Sequence, residues 1–356
     1  MLKINIIIPS INLSGGIRVI FLYANYLVSQ GHDVICYFPL KLFNLSKLII
    51  IKRSIKTFLK GPKKINWLKC NFKIITIYDI KDKNIRDADI TISTLWSTAY
   101  GVDKLNSTKG KKVHFIQGYE VWDGPKNLVE DAYRLKNKKI VISKNIQQLL
   151  KDKFNVDSSV IYNGLDSNEF ISSEKHQNEK IRILMLYHKG KHKRSIQGID
   201  ILKKLKKELD IEIILFGVKK DKNVPKDFIF YENPSRGVLI DLYRKSDIYF
   251  FTSKEESWGL PVMEAMSNKC AVLGANVGCV LELCTNWENV ILCNNLDYKT
   301  VRDNVSYLMN NRCKLIELQN NGHKLAKQFE WERSFESFEN YLQELLINEY
   351  NEENKI

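Results

Sequence analysis

The sequence predicts an α/β protein of two doubly wound domains, each a parallel sheet covered by helices on both faces. Apolar strand-like runs alternate with longer amphipathic stretches, as expected for successive right-handed βαβ units. This alternation occurs twice, before and after a polar segment at 171–180 that has no buried pattern. The length of 356 residues also suits two domains that each bury a core of their own.

Near-continuous apolar runs mark the strands, because strands buried on both faces of a parallel sheet carry few polar residues. The first half opens with a strand at 4–10, followed by a helix that begins near Ile17 and stops at Gly31. Further strands of this half are predicted at 34–38, 73–78, 89–94, 112–117, 139–143 and 159–164.

The same pattern restarts after the polar segment. Strands are predicted at 181–187, 211–218, 227–232, 247–253 and 270–278, with helices at 196–208, at 235–246 and from Pro261 onward. Doubly wound sheets bind ligands outside the carboxyl ends of their strands. We therefore expect two domains, 1–172 and 173–332, that face one another across a ligand-binding cleft.

The composition is that of an ordinary globular protein, with 44% hydrophobic and 27% charged residues, which excludes disordered and collagen-like chains. Seven cysteines without a C-x-x-C pair argue against a disulfide framework or a zinc ribbon. No apolar run approaches the ~18 residues of a membrane span, and the first ten residues are too short for a signal peptide. A cytoplasmic protein is the expectation.

The net charge of +14 is concentrated in one half of the chain. Residues 1–170 hold 27 Lys and Arg against 14 Asp and Glu, a balance of +13, and the remaining 28 and 27 give +1. Such asymmetry indicates that one domain meets an anionic partner. No helix-turn-helix, zinc-finger or RNA-recognition pattern accompanies the charge, so nucleic acid is not expected.

Segment 47–64 carries seven of these positive charges and no negative one. As a helix it would place Leu48, Ile51, Ile55, Phe58 and Leu59 on one face and Lys52, Lys56 and Lys60 on another. A basic amphipathic helix is suited to lie on an anionic membrane surface. An ordinary surface helix that packs on its own domain is the alternative.

Segment 255–266, EESWGLPVMEAM, begins at the carboxyl end of a strand and enters a helix at Pro261, a residue suited to the first helical position. The amides of such a helix N-terminus can bind phosphate. Glu256 lies in the loop and Glu264 eight positions later, where a carboxylate can accept hydrogen bonds from a ribose diol. Alternatively, Glu264 complements the helix dipole and Glu256 is a solvated loop residue.

The same segment resembles the Glu-seven-Glu signature of glycosyltransferase family 4, retaining sugar-nucleotide transferases of the GT-B fold. Other segments resemble the family in the same order along the chain: SGGIRVIFLYANYLVSQGHDV, VISKNIQQLLKDKF with VIYNGLDSNEF, LYRKSDIYFFTS and FEWERSFESFENYL. The resemblance implies that the N-terminal domain binds the acceptor and the C-terminal domain binds the nucleotide-sugar donor. It also implies that a closing helix, 333–356, crosses back to the first domain.

The family's site residues can be transferred by position. Glu264 would hold the ribose, Glu256 would contact the transferred sugar, and Lys193 with Arg194 would stabilise the departing diphosphate. The donor would also be lined by Ser257, Trp258, Gly259 and Leu260 and, from the first domain, by Gly15 and Gly16. A solvated lysine-rich loop around Lys193 is the alternative.

Two positions depart from the family pattern. His188 stands where an arginine is frequent, and an imidazole is a weaker phosphate ligand than a guanidinium. Gln117 stands where many members have a histidine near the sugar, and it can still hydrogen-bond a sugar hydroxyl. Glu120 is a further candidate for an acceptor contact, whereas His114 is interpreted as a packed strand histidine.

No metal or separate cofactor is expected. Asp87 and Asp89 form a D-x-D, but they open a predicted strand, and GT-B enzymes usually manage the leaving-group charge without a metal. The function implied by the resemblance is retaining sugar transfer onto a glycan acceptor, which is often lipid-linked in the family, at the inner face of the cell membrane. The lysine-, isoleucine- and asparagine-rich composition suggests a role in the synthesis of a bacterial surface polysaccharide, such as the O-antigen of lipopolysaccharide or a capsule. The alternatives are a nucleotide-sugar epimerase and a non-catalytic subunit that binds glycan or a partner.

Overall fold

The chain folds into two α/β units with entirely parallel sheets, which confirms the fold class predicted from the sequence. The computed structural model describes residues 1–12, 14–60, 65, 67–171, 175, 178–293 and 295–353. The first unit comprises Met1–Tyr162 and the chain from Glu332 on, and the second comprises Asn163–Trp331.

The first unit has a seven-stranded sheet in the order β3-β2-β1-β4-β5-β6-β7. Its strands are β1 (Lys3–Ile7), β2 (Asp33–Pro39), β3 (Lys73–Ile77), β4 (Ile90–Ser93), β5 (Lys111–Ile116), β6 (Lys138–Val141) and β7 (Ser159–Val160). Its helices are α1 (Gly15–Ser29), α2 (Lys47–Lys60), α3 (Trp96–Asp103), α4 (Lys126–Arg134) and α5 (Lys144–Phe154).

The second unit has a six-stranded sheet in the order β10-β9-β8-β11-β12-β13. Its strands are β8 (Ile181–Leu186), β9 (Ile211–Gly217), β10 (Ile229–Glu232), β11 (Ile248–Phe251), β12 (Ala271–Gly274) and β13 (Val290–Leu292). Its helices are α6 (Ser195–Glu208), α7 (Arg236–Lys245), α8 (Leu260–Ser267), α9 (Cys279–Leu283), α10 (Tyr298–Asn310) and α11 (Arg312–Ala326), and α12 (Trp331–Glu353) follows them.

Each sheet has one point at which successive connections leave in opposite directions. In the second unit, β9 and β10 follow β8 on one side, while β12 and β13 follow β11 on the other. In the first unit the corresponding point lies between β1 and β4. Loops that leave such a switch point diverge and leave a crevice at the carboxyl ends of the strands, which is where open α/β sheets bind ligands.

The units divide at 162/163, before the predicted boundary at 172/173. Residues 163–171 belong to the second unit because they bond to it: Leu165 pairs with Glu330, and the Ile171 amide donates to the Ser267 carbonyl at 3.3 Å. The composition change that marks a linker at 171–180 therefore follows the division.

The final helix, α12, belongs to the first unit from Glu332 onward. It packs on α1, where the Tyr23 ring lies 5.3 Å from the Phe335 ring and 4.5 Å from the Phe338 ring. His32 and Glu339 also pair at 2.9 Å. Residues 354–356, the end of the predicted closing helix, lie outside the described residues.

The predicted basic helix is present as α2, while 61–64 lie outside the described residues. Arg53 anchors it by donating to the carbonyls of Pro9 at 2.8 Å and Pro39 at 3.2 Å. Leu48, Ile51 and Ile55 are 72%, 53% and 53% exposed, so they do not pack on the unit that carries them. Among the described residues, no helix combines the length and the apolarity that crossing a bilayer requires.

Candidate active site

The switch point of the second sheet brings Lys193 and Glu256 together. Lys193 ends a 3₁₀ turn, Lys191–Lys193, after β8, and Glu256 lies in the loop after β11. Their side chains form an ion pair in which each partner is 18% exposed. The two loops are also joined by the Thr252 hydroxyl, which donates to the Lys193 carbonyl at 2.7 Å. A predicted donor-site pair is thus assembled from two loops that are far apart in sequence.

A small pocket that is open to solvent lies at this pair. Lys193, Glu256, Ser253 and Pro261 are among the residues that line it. It therefore contains a cation, a carboxylate and the start of α8 in one place. These groups are chemically suited to contact an anionic group and hydroxyl groups of a ligand.

Backbone geometry shapes the loop that leads into α8. Gly259 has φ +101°, in the region that favours glycine, and it directly precedes the helix. At Gly278 (φ +61°), a Cβ atom would lie 2.5 Å from the Trp258 carbonyl oxygen. The Trp258 side chain is itself 2% exposed and packs edge-on against Phe329. Because this side chain is buried, a contact of Trp258 with a donor, which stays a prediction, would have to come from its backbone.

Glu264 lies in α8 and is 6% exposed. Its carboxylate accepts hydrogen bonds from Arg236 Nη1 at 2.6 Å and from the Tyr243 hydroxyl at 3.1 Å. This orientation is more specific than a helix-dipole interaction, because two side chains of α7 hold the two oxygens separately. Among its described partners, Glu264 is bonded to α7 rather than to the Lys193–Glu256 pair.

Arg194 and His188 complete the loop after β8. Arg194 has φ +48°, and its guanidinium donates to the carbonyls of Thr252 at 2.8 Å and Ser253 at 3.0 Å. It therefore clamps the loop after β11. Partial burial, with help from Lys193 and His192, lowers the pKa of His188, so this imidazole is mostly neutral at pH 7. Lys193 is thus the cation of this loop that lines the pocket.

In the first unit, the residues predicted to face a ligand meet at the carboxyl ends of β1 and β5. Gly15 and Gly16 form the first turn of α1 rather than a loop, because the Ser14 side chain caps the helix by accepting from the Ile17 amide at 3.3 Å. Gln117 donates from Nε2 to the Gly16 carbonyl at 3.0 Å. A Cβ atom at Gly16 would lie 3.4 Å from that amide, so the Gln117 side chain packs directly over this glycine.

Glu120 is buried at the start of α3 instead of projecting into solvent. It is 4% exposed, and its carboxylate accepts the Trp96 amide at 2.8 Å. Burial raises the pKa of Glu120 to about 8, against a smaller lowering by the Trp96 hydrogen bond. A direct contact between Glu120 and an acceptor stays a prediction.

His114 is fully buried in β5, as interpreted from the sequence. Neither ring nitrogen has a hydrogen-bond partner among the described residues, and burial lowers the pKa of His114 to about 3. The two aspartates of the D-x-D have structural partners. Asp87 pairs with Lys109 at 2.6 Å, and Asp89 accepts the Lys3 amide at 2.7 Å.

A family model described as "Glycosyl transferases group 1" matches residues 166–328, which is nearly all of the second unit. The second unit is thus similar in sequence to glycosyltransferase group 1 domains. The matched range contains the Lys193–Glu256 pair, Glu264 and the pocket. No curated protein sequence matches the chain.

Solved glycosyltransferase structures share the fold along almost the whole chain. A sucrose-phosphate synthase from Thermosynechococcus elongatus has a TM-score of 0.75 at 12% identity, covering 98% of this chain and 100% of that one. A glycosyltransferase from Rickettsia africae has a TM-score of 0.72 at 17% identity, covering 97% and 98%. Anabaena HepE in complex with UDP-glucose has a TM-score of 0.73 at 14% identity, covering 97% and 100%. The two α/β units therefore match GT-B glycosyltransferase structures.

Sequence reasoning missed three residues around Glu264 in the second unit: Arg236, Tyr243 and Glu169. One signal was available. Arg236 is the first residue of α7, where a cation is unfavourable next to the positive end of the helix dipole. Such a placement indicates that the charge serves something other than the helix.

Proposed function

We propose that the protein is a retaining, family 4 glycosyltransferase that moves a sugar from a nucleotide-sugar donor to a glycan acceptor. The observation that carries the proposal is the Lys193–Glu256 pair at the switch point of the second sheet, beside the pocket and the start of α8. A cation suits the departing diphosphate, and a carboxylate suits the hydroxyls of the transferred sugar. The group 1 match to the same residues supports this assignment.

The donor would extend from this pair to Glu264, which would accept hydrogen bonds from the ribose hydroxyls. Arg194 would act indirectly, because its guanidinium is bonded to the carbonyls of Thr252 and Ser253. A UDP-sugar is the first donor class to test, since HepE was solved with UDP-glucose. No metal is required by this scheme.

In the proposed reaction, the bond between the donor's anomeric carbon and its diphosphate oxygen breaks. The acceptor oxygen bonds to that carbon on the same face, and the departing phosphate takes the proton of the acceptor hydroxyl. Lys193 and the amides at the start of α8 would stabilise the charge that develops on the diphosphate. Orientation and electrostatics then provide most of the rate enhancement.

The first unit would bind the acceptor, which we propose to be a lipid-linked glycan of bacterial surface polysaccharide synthesis. Support comes from the +13 balance of residues 1–170 and from the exposed apolar side chains of the basic helix α2. Peripheral attachment to the inner face of the cell membrane would place the active site next to such an acceptor.

The first test is a thermal-shift panel with UDP, GDP, dTDP and ADP on the wild type and Glu264→Gln. A ligand that binds only the folded state at ~100 times its dissociation constant stabilises it by ~2.7 kcal/mol. One nucleotide should stabilise the wild type clearly and the variant much less, because the amide is uncharged and a weaker acceptor. Glu317→Gln, on the exposed face of α11, is the matched control and should respond like the wild type.

The sugar nucleotide of the selected base then distinguishes the classes of function. A transferase gives a product that contains the acceptor, whereas an epimerase converts the donor alone. Binding without turnover on any acceptor would indicate a non-catalytic subunit. If no nucleotide in the panel raises the midpoint of thermal unfolding of the wild type, the proposal is contradicted at its first step.

A further inference from the structure

Arg236 bridges two carboxylates that come from separate parts of the second unit. Its Nη1 donates to Glu264 in α8 at 2.6 Å, and its Nε donates to Glu169 at 2.6 Å. Nη2 donates to the second oxygen of Glu169, so this contact is bidentate. Glu169 belongs to the 3₁₀ turn Ser167–Glu169, close to the beginning of the unit. The guanidinium therefore fixes Glu264 relative to a turn outside its own helix.

The position of Arg236 is not explained by the stability of α7. A cation at the first position of a helix is unfavourable next to the positive end of the helix dipole, and α7 has no acidic residue in its first turn. The N-terminal amides are instead served by Ser235, whose hydroxyl accepts from Val238. The carboxylates of Glu169 and Glu264 compensate for this placement.

Two shielded carboxylates meet at the Arg236 guanidinium. The Glu264 and Glu169 side chains are 7% and 18% exposed, and both contact the same guanidinium. Burial lowers the pKa of Arg236, but the two carboxylates raise it further, and the net effect is upward, so the cation is retained. Without it, two shielded carboxylates would be left without their cationic partner, which is electrostatically unfavourable.

We propose that Arg236 is a positioning residue for the donor, which holds the Glu264 carboxylate in the orientation that receives the ribose, with Glu169 as its anchor. The inference rests on the proposed function, because it assigns the ribose to Glu264. Tyr243 completes the arrangement by donating to the other oxygen of Glu264 at 3.1 Å. Arg236 itself acts through Glu264 and makes no contact with the reacting atoms in this scheme.

Ribose discrimination is the readout that separates positioning from folding. The dissociation constant of the nucleoside diphosphate selected by the panel is measured by calorimetry, together with that of its 2′-deoxy form (for dTDP, the 2′,3′-dideoxy form). We expect the wild type to prefer the hydroxylated ligand by about 10- to 100-fold, since a hydrogen bond to a charged group is lost. In Arg236→Gln and in Glu264→Gln, this ratio should fall to about 3 or less.

Arg244→Gln is the matched control. Arg244 lies on the same helix and donates to the Glu169 carbonyl at 3.3 Å and to Asn268 at 3.2 Å. Its loss should lower the midpoint of thermal unfolding while preserving the ribose ratio. A collapsed ratio in Arg244→Gln would reduce the effect to general destabilisation and overturn the inference.

The remaining outcomes separate the two proposals. In one outcome the wild type discriminates between the two ligands, Glu264→Gln has lost this discrimination, and Arg236→Gln keeps the full ratio of dissociation constants. The inference about Arg236 is then wrong, and the proposed function stands. If the wild type binds no nucleotide, both fail. If it binds without discriminating, Glu264 is not the ribose contact, and the inference is again overturned.

Discussion

Lys193 and Glu256 derive their geometry from the sheet rather than from their own loops. β8 and β11 are neighbours, paired at Ile183–Ile248 and Leu184–Tyr249, so the loops that follow them emerge side by side. Hydrogen bonds between the loops, including Lys254 N–H to the His192 carbonyl at 2.7 Å, then hold the two side chains in contact. A charged pair held in this way is ready for an anion without a large rearrangement, which is the basis of electrostatic catalysis.

Replacement of this cation tests its role directly. In Lys193→Met we expect kcat/KM for sugar transfer to fall by about 100-fold or more, because one preorganised charge at a developing anion contributes about that much. Release of nucleoside diphosphate in the presence of acceptor is the measurement. Lys203→Met, an exposed lysine on α6, is the matched control and should retain wild-type rates. Equal rates in the two variants would remove Lys193 from the catalytic machinery.

The connection between β5 and α4 is built around one tryptophan. The Trp96 amide donates to Glu120 at 2.8 Å, and its indole Nε1 donates to Asp123 at 3.0 Å. The Tyr133 hydroxyl accepts from the Glu120 amide at 2.9 Å and donates to the Gly118 carbonyl at 3.2 Å. These bonds hold the loop that carries Gln117 against the start of α3. Gln117 is thereby kept in contact with Gly16 at the carboxyl edge of the first sheet.

The pKa of Glu120 makes this loop sensitive to pH. Its folded-state pKa of about 8 lies above the ordinary value of 4.5, so the folded state binds the extra proton between these pH values. The contribution of Glu120 to stability therefore falls as pH rises from about 4.5 to 8, by about 1.4 kcal/mol per pH unit at most. Glu120→Gln keeps an acceptor for Trp96 and cannot ionise, so its stability relative to the wild type should rise across this range.

Thermal and urea unfolding at pH 5.5, 7 and 8.5 give the measurement. Asp131→Asn, on the exposed face of α4, is the control and should show no comparable trend. A difference between Glu120→Gln and the wild type that is constant with pH would contradict the expectation.

At the scale of the whole chain, the net charge is distributed unevenly along the sequence. The first 170 residues carry +13 of the total +14, and α2 adds exposed apolar side chains to this charge. Helix α2 combines the two features that bind anionic lipid surfaces, since Arg and Lys near the membrane contribute about 1 kcal/mol each and buried apolar area adds to them. The exposure of Leu48, Ile51 and Ile55 favours this interpretation over a helix that packs only on its own unit.

Vesicle binding tests the contribution of α2. The wild type should sediment with vesicles of phosphatidylglycerol and phosphatidylcholine at low salt, but not with phosphatidylcholine alone. A variant with Lys47→Glu and Lys52→Glu, which changes the net charge from +14 to +10, should bind at least tenfold more weakly. Lys203→Glu with Lys207→Glu on α6 changes the net charge equally and should bind like the wild type. Equal losses in the two double variants would show that net charge alone is responsible.

The elements were predictable because their signals are local. Near-continuous apolar runs identified strands such as β1, β8 and β11, and Pro261 with Gly259 marked the beginning of α8. Helix α1 begins at Gly15, two residues before the predicted start at Ile17, because the Ser14 side chain caps the helix there. In the second unit, the Glu256–Glu264 spacing pointed to a loop and a helix start that line the pocket.

The sequence by itself determined the α/β class, the repetition of the pattern, the charge asymmetry and the segment that carries the candidate site. Only the tertiary structure decided that Arg236, Glu169 and Glu264 form one network, that Glu120 is buried, and that Lys193 pairs with Glu256. The physical reason is the distance along the sequence over which each kind of interaction acts. Hydrophobic periodicity and helix caps act over a few residues, whereas these pairs depend on which strands become neighbours and on how their loops meet.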